Sequence, residues 1–235
     1  MLKIESISKK FGPIQALNGV SLSLNAGEAV GIMGINGAGK STLLNCICGF
    51  ARPDEGRIKL GADYIEGLRP DRVSRKGIGR TFQIPRSFRG LTVLENLLLI
   101  PSNGQSSDDR TDAALHALRK VQLDRLASNY AGELSGGQQK LLELARVMLI
   151  DPAVVLLDEP FAGMHSDFCR LFLDEIENML KRSVSVLMVC HDPGAIYRLS
   201  NHIVVMHEGK ILSAGSADEI KADPAVIDAY LGTSH

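Results

Sequence analysis

The sequence has little net charge and no long apolar run. Its 235 residues contain 26 Lys and Arg against 27 Asp and Glu, a formal net charge of −1, which gives no argument for nucleic acid as the main partner. A membrane-spanning helix needs about 18 consecutive apolar residues. The most apolar runs, at residues 91–100 and 154–157, are short and lie beside charged residues. Any membrane role is therefore expected to come through a partner.

Cysteines are few, and a secretory signal is missing from the first residues. Cys46, Cys48, Cys169 and Cys190 form no Cys-x-x-Cys pair, and each lies in an apolar stretch. This pattern predicts packing in the core rather than a metal or redox site, and it fits a reducing, cytoplasmic compartment. Residues 1–8 alternate apolar and polar side chains without a basic start and an apolar core, so we expect a strand there.

What the sequence does contain is an alternation of strand-like and helix-like segments. Hydrophobic residues make up 45% and charged residues 23% of the chain, as in ordinary globular domains. The patterns predict strands at residues 2–8, 20–24, 29–33, 154–157 and 184–189, helices from Lys40 and at 167–180, a hairpin over 203–213 and two short helices after it. This alternation implies an α/β fold with a mostly parallel sheet covered on both faces.

A long helical segment interrupts this alternation. Residues 91–149 predict mainly helix, which ends before Pro152 because proline cannot continue the hydrogen-bond ladder. A polar gap at residues 102–109 lacks apolar anchors and predicts a mobile surface loop. We therefore expect one domain, in which an α/β core of residues 1–83 and 152–235 is interrupted by a helical subdomain at about 84–151.

The most specific motif is a glycine-rich loop between a predicted strand and a predicted helix. The run Gly-Ile-Asn-Gly-Ala-Gly-Lys-Ser matches the phosphate-binding pattern in the strand–loop–helix context that it requires. Glycines let the backbone aim its N–H groups at phosphate oxygens, and the start of the helix adds its positive dipole end. Lys40 would reach the β- and γ-phosphates, and the Ser41 hydroxyl would bind Mg²⁺. The predicted nucleotide-binding residues of the loop are Gly34, Ile35, Asn36, Gly37, Ala38, Gly39, Lys40, Ser41 and Thr42.

Two acidic residues end a second apolar strand. Asp158 and Glu159 follow the run Val-Val-Leu-Leu, and the strand would place both at the carboxyl edge of the sheet, where open α/β sheets bind ligands. Asp158 would hold Mg²⁺, directly or through water, and Glu159 would accept a proton from the attacking water. The alternative is a solvated acidic turn, which the phosphate-binding loop makes the weaker explanation.

A third motif, Leu-Ser-Gly-Gly-Gln at residues 134–138, precedes a predicted helix. A serine in that place can simply cap the helix, but a cap requires neither two glycines nor a glutamine. The pentapeptide resembles the signature of ATP-binding-cassette proteins. The resemblance implies ATP hydrolysis with Mg²⁺ on a P-loop NTPase core, with an N-terminal antiparallel β region and an inserted helical subdomain. It also implies that Ser135, Gly136, Gly137 and Gln138 contact the ATP of an opposite subunit.

The same resemblance gives roles to three further residues. Phe11 matches the aromatic residue that stacks on adenine, although a core phenylalanine is nearly as good an explanation. Gln83 matches the glutamine that contacts Mg²⁺ and the attacking water and senses the transmembrane partner, and His191 matches the switch histidine near the γ-phosphate. The implied catalytic residues are thus Glu159, His191 and Gln83, and the implied Mg²⁺ ligands are Ser41, Gln83 and Asp158.

Three segments, residues 79–83, 91–96 and 223–232, resemble ATP-binding subunits of branched-chain amino-acid importers and of related importers for urea and amides. The resemblance implies a dimer with an identical or paralogous cassette subunit and a position on the cytoplasmic face of the membrane. Transmembrane permease subunits would bind the cassettes, a solute-binding protein would act indirectly, and nucleic acid is not expected. The alternatives are an exporter subunit, a cassette ATPase acting on nucleic acid, and a non-hydrolysing ATP sensor.

Two features depart from the family's usual pattern. His165 stands where the family has a short Asp or Asn side chain at the dimer interface, so we expect altered coupling between subunits. The polar gap at residues 102–109 is shorter than the insertion common in amino-acid importer subunits, which weakens the expectation about the solute.

Overall fold

The computed structural model describes residues 1–101, 106–190 and 193–231 of the chain. Within these ranges the strands are β1 (Leu2–Phe11), β2 (Ile14–Leu24), β3 (Ala29–Met33), β4 (Glu55–Leu60), β5 (Asp63–Tyr64), β6 (Ile78–Arg80), β7 (Val154–Asp158), β8 (Ser185–Val189), β9 (His202–His207) and β10 (Lys210–Gly215). The α-helices are α1 (Lys40–Ile47), α2 (Pro70–Arg75), α3 (Val93–Leu98), α4 (Ser107–Lys120), α5 (Gly136–Met148), α6 (Ser166–Lys181), α7 (Pro193–Leu199), α8 (Ala217–Ala222) and α9 (Pro224–Leu231).

The strands form two sheets. The first has the order β2-β1-β4-β5 with antiparallel neighbours, and the second has the order β10-β9-β3-β8-β7-β6. In the second sheet every neighbouring pair is parallel except β9 and β10. Strands β3, β7 and β8 are buried along their whole length, as expected for parallel strands covered on both faces. The structure confirms the predicted α/β fold with an N-terminal antiparallel region.

The core lies on both sides of the parallel sheet, and β7 shows how one strand serves both. Val155 and Leu157 belong to a hydrophobic cluster shared with helices α3 to α6, whereas Val154 and Leu156 belong to a cluster shared with α1 and the antiparallel sheet. Successive side chains of a strand point to opposite faces. An unbroken apolar run is therefore what a strand between two layers requires.

The predicted loop at residues 102–109 is partly wrong. Residues 102–105 lie outside the described part of the chain, but α4 already begins at Ser107. The Ser106 hydroxyl caps this helix by accepting from the backbone N–H of Asp109 at 3.2 Å. Asp108 and Asp109 lie in the first turn, where the helix dipole favours negative charge. The polar residues that suggested a loop are the capping residues of a helix start.

The region expected to be mainly helical, residues 91–149, contains α3, α4 and α5 among its described residues, and these helices pack against one another. Two 3₁₀ turns, at Asp124–Leu126 and Ala131–Glu133, lie between α4 and α5. The boundary of a helical subdomain at 84–151 stays a prediction. Strands β4, β5 and β6 with helix α2 were not expected, because residues 55–80 have no strong hydrophobic period.

Cysteine packing agrees with the sequence-based expectation. Cys46, Cys48 and Cys190 are buried, and Cys169 is half-buried. Burial raises the pKa of both Cys46 and Cys48 to about 11, so these two side chains are neutral thiols at physiological pH. No helix among the described residues is both long and apolar enough to span a bilayer.

Candidate active site

The strand order of the parallel sheet brings four loops to one edge. The carboxyl ends of β3, β6, β7 and β8 are neighbours in this sheet, and the loop from Gly34 to Gly39 leaves β3 and enters α1. Gly39 has a φ of 99°, and a Cβ there would approach the Ala16 carbonyl oxygen to 2.5 Å. At Gly34 a Cβ would clash with the Met206 carbonyl oxygen. These two glycines are therefore required by the fold of the loop.

Lys40 lies inside this loop rather than on its surface. Its Nζ donates to the Gly34 carbonyl at 2.7 Å and to the Ile35 carbonyl at 3.0 Å. Burial lowers the pKa of Lys40, and the nearby charges of Glu159 and Asp158 oppose that shift. The ammonium group is thus held at the centre of the loop, with the acids at the end of β7 and directly after it close enough to act on it.

An open cleft of about 440 Å³ lies over the loop and α1. Ser41, Gln83 and Glu159, which are distant in sequence, line it together. The other lining residues are Ile14, Gln15, Ala16, Asn36, Gly37, Ala38, Gly39, Lys40, Thr42, Val189 and Glu208. Of these, Ile14, Gln15, Ala16, Val189 and Glu208 were not anticipated, because they belong to or adjoin strands whose sequences carry no ligand motif.

Asp158 does not line the cleft; its carboxylate is paired with Arg80 of the neighbouring strand β6. Its Oδ2 accepts from Arg80 Nη2 at 2.9 Å, and the two side chains are only 8% and 7% exposed. Arg80 Nη1 also donates to Asn45 Oδ1 at 2.7 Å, and its guanidinium lies over the Phe82 ring at 4.8 Å. Sequence analysis missed Arg80, although its place immediately before Thr-Phe-Gln was visible.

The backbone of Glu159 is unusual. It has a φ of 48°, which is rare outside glycine, and it precedes Pro160, which restricts it further. Such a conformation costs of order 1–3 kcal/mol and persists only where its surroundings hold it. Here the Glu159 N–H donates to the Val189 carbonyl at 2.9 Å, and the Glu159 carbonyl accepts from Lys140 Nζ at 3.0 Å.

The segment around Gln83 is held by a buried carboxylate of α5. Glu143 accepts from the backbone N–H of Phe82 at 2.9 Å and of Arg86 at 3.3 Å. Burial raises the pKa of Glu143 to about 7, against the effect of these donors and of the Arg146 and Lys140 cations. Sequence analysis missed this residue, since nothing local indicates that a glutamate on an apolar helix is buried.

The start of α5 carries the Leu-Ser-Gly-Gly-Gln motif. The Ser135 hydroxyl accepts from the Gln138 N–H at 3.3 Å, and Gln138 Oε1 accepts from the Ser135 N–H at 2.9 Å, which is a complete capping box. A Cβ on Gly137 would meet the Phe168 ring at 2.6 Å, so packing requires that glycine. A Cβ on Gly136 would meet nothing within 4 Å. The capping explanation therefore holds for the ends of the motif but leaves Gly136 unexplained.

Comparison with known families identifies this arrangement. Residues 17–162, more than half of the chain, match the family described as ABC transporter. The chain belongs to this family. Residues 210–235 also match the family described as branched-chain amino acid ATP-binding cassette transporter. The chain is therefore an ABC ATPase that binds and hydrolyses ATP.

Individual relatives are similar over nearly their whole length. The ABC ATPase is 36% identical over 251 residues to the high-affinity branched-chain amino acid transport ATP-binding protein BraF of Pseudomonas aeruginosa, covering 99% of this chain and 98% of that protein. It resembles the solved ADP conformation of an ATP-binding cassette of an ABC transporter, with a TM-score of 0.88, 33% identity and coverage of 99% and 98%. It also resembles a dimeric bacterial ABC transporter cassette, with a TM-score of 0.84, 30% identity and coverage of 92% and 99%.

Two of the remaining residues to which sequence analysis gave roles in this ABC ATPase can be located. Phe11 is 51% exposed at the end of β1, so it is not a core residue, and the Lys9 ammonium lies 5.4 Å from its ring centre. His165 is the exposed N-cap of α6 and accepts from the Asp167 N–H through Nδ1 at 3.5 Å. His191 lies outside the described residues.

The residues at the cleft fit a hard cation such as Mg²⁺. Ser41 and Gln83 offer oxygen ligands inside the cleft, and Asp158 lies next to Glu159 with its carboxylate oriented toward Arg80. No cluster of three His, Cys, Asp or Glu side chains suited to a metal occurs in the described ranges. Mg²⁺ usually takes one or two carboxylates and completes its shell with water and phosphate oxygens.

Proposed function

We propose that this ABC ATPase is the ATP-hydrolysing subunit of a membrane importer for branched-chain amino acids or a related small polar solute. The observation that carries the proposal is the end-to-end similarity to a branched-chain amino acid transport ATP-binding protein, together with the separate match of residues 210–235. The similarity reaches the last part of the chain as well as the nucleotide-binding motifs, so it is not explained by those motifs alone. A position on the cytoplasmic face of the membrane, bound to permease subunits and served by a solute-binding protein, follows from this proposal.

Uptake by intact cells tests the proposal. A strain lacking this gene should lose most high-affinity uptake of labelled leucine, isoleucine and valine, and the wild-type gene should restore it. Loss of urea or amide uptake instead would still support an importer subunit but would identify a different solute. Unchanged uptake combined with slower efflux of a preloaded solute would favour an exporter subunit and contradict the proposal.

The nucleotide site is proposed to use the loop from Gly34 to Thr42. Backbone N–H groups of the loop and the start of α1 would hold the phosphates, and Lys40 would leave the Gly34 and Ile35 carbonyls to reach the β- and γ-phosphates. Ser41 and Gln83 would hold Mg²⁺ from within the cleft, and Asp158, whose carboxylate is paired with Arg80, would hold it through water. When bound, Mg²⁺ neutralises charge on the phosphates. Exposed Phe11 would stack on the adenine.

Glu159 is proposed as the general base. It lines the cleft close to Gln83 and Ser41, and its position next to Lys40 suits a carboxylate beside the γ-phosphate. Gln83 would orient the attacking water, while Glu159 accepts its proton, a role typically worth about 10²–10⁴ in rate. His191 would contact the γ-phosphate.

Two such subunits are proposed to close on ATP. Ser135, Gly136, Gly137 and Gln138 would contact the nucleotide held by the other subunit. The open space around Gly136 supports this contact, since no neighbour among the described residues requires a glycine there. The similarity to a dimeric cassette supports the same arrangement. Closing on ATP and reopening after hydrolysis would move the permease.

A second cleft, of about 310 Å³, is proposed as the permease site. It lies between the Gln83 segment and α5 and is lined by Phe50, Arg80, Phe82, Arg86, Phe88, Ile100, Glu143, Arg146, Val147 and Ile150. Apolar walls and three arginines suit a short cytoplasmic segment with an apolar face and an acidic residue. Phe88 is exposed beside it, as is Ile84 on the same segment.

A further inference from the structure

Among the described residues, two lysines are buried, and only one of them belongs to the nucleotide site. Lys40 lies in the phosphate-binding loop, whereas Lys140 lies on α5 and is 6% exposed. Burial lowers the pKa of Lys140, against the effect of nearby Glu143 and Glu159. A buried ammonium group is costly unless its donors are used. The contacts of Lys140 therefore call for an explanation.

Lys140 spans the turn that follows β7. Its Nζ donates to the Glu159 carbonyl at 3.0 Å and to the Ala162 carbonyl at 2.8 Å. These two carbonyls belong to the first residue and to the middle residue of the segment that joins β7 to α6. A single side chain of α5 thus holds the first half of this segment.

The Glu159 backbone has a specific need for such a contact. Its left-handed φ of 48° is strained, and its N–H is already bonded to the Val189 carbonyl. The Lys140 contact fixes the peptide group on the other side of the Glu159 Cα. With the peptide groups on both sides held, the direction of the Cα–Cβ bond is set. Only the side-chain torsions of Glu159 then remain to place its carboxylate in the cleft.

We infer that Lys140 is a positioning residue that holds the Glu159 backbone and thereby aims the Glu159 carboxylate at the attacking water. This inference rests on the proposed role of Glu159 as general base. It also links two parts of the proposed mechanism, because Lys140 lies only two positions beyond Gln138 on the helix that begins with the signature motif. A shift of α5 at its start would reach the general base through this lysine.

The first test separates positioning from binding. In Lys140→Met the side chain keeps its volume but donates to neither carbonyl, and in Lys140→Gln an amide can still donate. We expect Lys140→Met to lower kcat by about 10- to 100-fold, since a small misplacement of a reacting group costs that much. If the change is confined to Glu159, the affinity of Lys140→Met for a fluorescent ATP analogue should stay within about twofold of the wild-type affinity. The kcat of Lys140→Gln should lie between those of wild type and Lys140→Met. The exposed Lys181→Met is the matched control and should behave as wild type.

The decisive test is a double-mutant cycle with Glu159→Gln, measured as single-turnover hydrolysis. If Lys140 acts through the Glu159 carboxylate, then Lys140→Met should add less than about twofold to the loss caused by Glu159→Gln. Losses that multiply in full would show an independent structural role and overturn the inference, as would wild-type turnover by Lys140→Met. Should Lys140→Met fail to fold, Lys140→Gln takes its place in the cycle under the same criteria. Wild-type turnover by Glu159→Gln alone would instead refute the proposed general base, a failure that this design distinguishes.

Discussion

At the residue scale, the two acids at the end of β7 occupy different environments although they are adjacent. Asp158 is buried against Arg80, while Glu159 lines the nucleotide cleft. Strand β7 ends at Asp158, and the left-handed backbone of Glu159 turns the chain there, so the two side chains leave in different directions. Arg80 stands on the neighbouring strand β6, in parallel register with β7. Arg80 also lines the second cleft, so this buried pair lies next to that cleft rather than in the nucleotide cleft.

The Arg80–Asp158 pair predicts a stability effect that does not depend on nucleotide. Arg80→Met should lower the free energy of unfolding by about 3–5 kcal/mol, because it leaves a buried carboxylate without its cation. Urea denaturation without ATP or Mg²⁺ measures this loss. The double variant Arg80→Met/Asp158→Asn should recover much of it, since neither member of the pair is then charged. A double variant as unstable as Arg80→Met would show that the arginine contributes through packing rather than through the pair.

The residues that the sequence predicted and those that it missed differ in the range of their contacts. The loop from Gly34 to Ser41 was predictable because its sequence pattern is local, although Gly34 and Gly39 also lie close to the distant residues Met206 and Ala16. Arg80 acts on Asp158 across 78 positions, and Glu143 on Phe82 across 61. No periodicity or motif marks such partners, since their role appears only when the sheet and α5 are assembled.

At the element scale, α5 joins the signature motif to the turn after β7 and to the Gln83 segment, the two segments proposed to carry catalytic residues. Lys140, Glu143 and Arg146 are spaced three apart on neighbouring positions of the helix surface. Lys140 contacts the turn after β7, Glu143 contacts the Gln83 segment, and Arg146 donates to the Arg86 carbonyl at 2.7 Å. The polar side of an otherwise apolar helix therefore contacts backbone rather than water.

Glu143 predicts a pH dependence of stability. Its pKa in the folded protein is raised to about 7, so between its ordinary value and 7 the folded state binds a proton more strongly than the unfolded state. Stability from this group is therefore present at low pH and is lost as pH rises through that window, by at most about 3 kcal/mol. Glu143→Gln should remove this slope, so that the difference from wild type in urea denaturation changes between pH 5 and 8. A difference that is constant with pH would contradict the prediction.

The segment after Gln83 is predicted to bind the permease. Arg89 is exposed beside Phe88, at the border of the second cleft. Arg89→Glu should weaken assembly with the permease by about tenfold or more through like-charge repulsion with an acidic partner segment, while ATP hydrolysis by the isolated subunit stays unchanged. Co-purification from membranes measures assembly. Arg57→Glu, exposed on the antiparallel sheet, is the control, and equal assembly by both variants would place the permease elsewhere.

At the scale of the whole molecule, the layered α/β fold was more predictable than the bounds of its individual strands and helices. Apolar runs such as residues 154–157 predicted a sheet covered on both faces, and the two hydrophobic clusters confirm it. Residues 55–80 were not assigned, because β4 and β6 gain their stability from neighbouring strands rather than from their own pattern. The start of α4 was mistaken for a loop because capping residues and loop residues are the same types.

The last prediction concerns the assembly of two molecules. Glu159→Gln keeps the shape of the side chain but removes the proton acceptor, while the phosphate loop and Lys40 are unchanged. Loss of a negative charge beside the γ-phosphate should also favour the closed state. We therefore expect wild type to be mainly monomeric and Glu159→Gln to form an ATP-dependent dimer, with hydrolysis reduced by about 10² or more. Light scattering with and without ATP, together with phosphate release, measures both effects.

A second substitution makes this test specific for the proposed interface. Gly136→Glu adds a side chain to open space at the start of α5, so the fold and the subunit's own cleft should be unaffected. In the Glu159→Gln background it should abolish the ATP-dependent dimer while ATP binding by the monomer persists, because the added carboxylate would face the phosphates of the opposite subunit. A dimer that still forms would show that the signature motif does not contact the opposite nucleotide. A Glu159→Gln monomer with wild-type turnover would remove Glu159 from the mechanism.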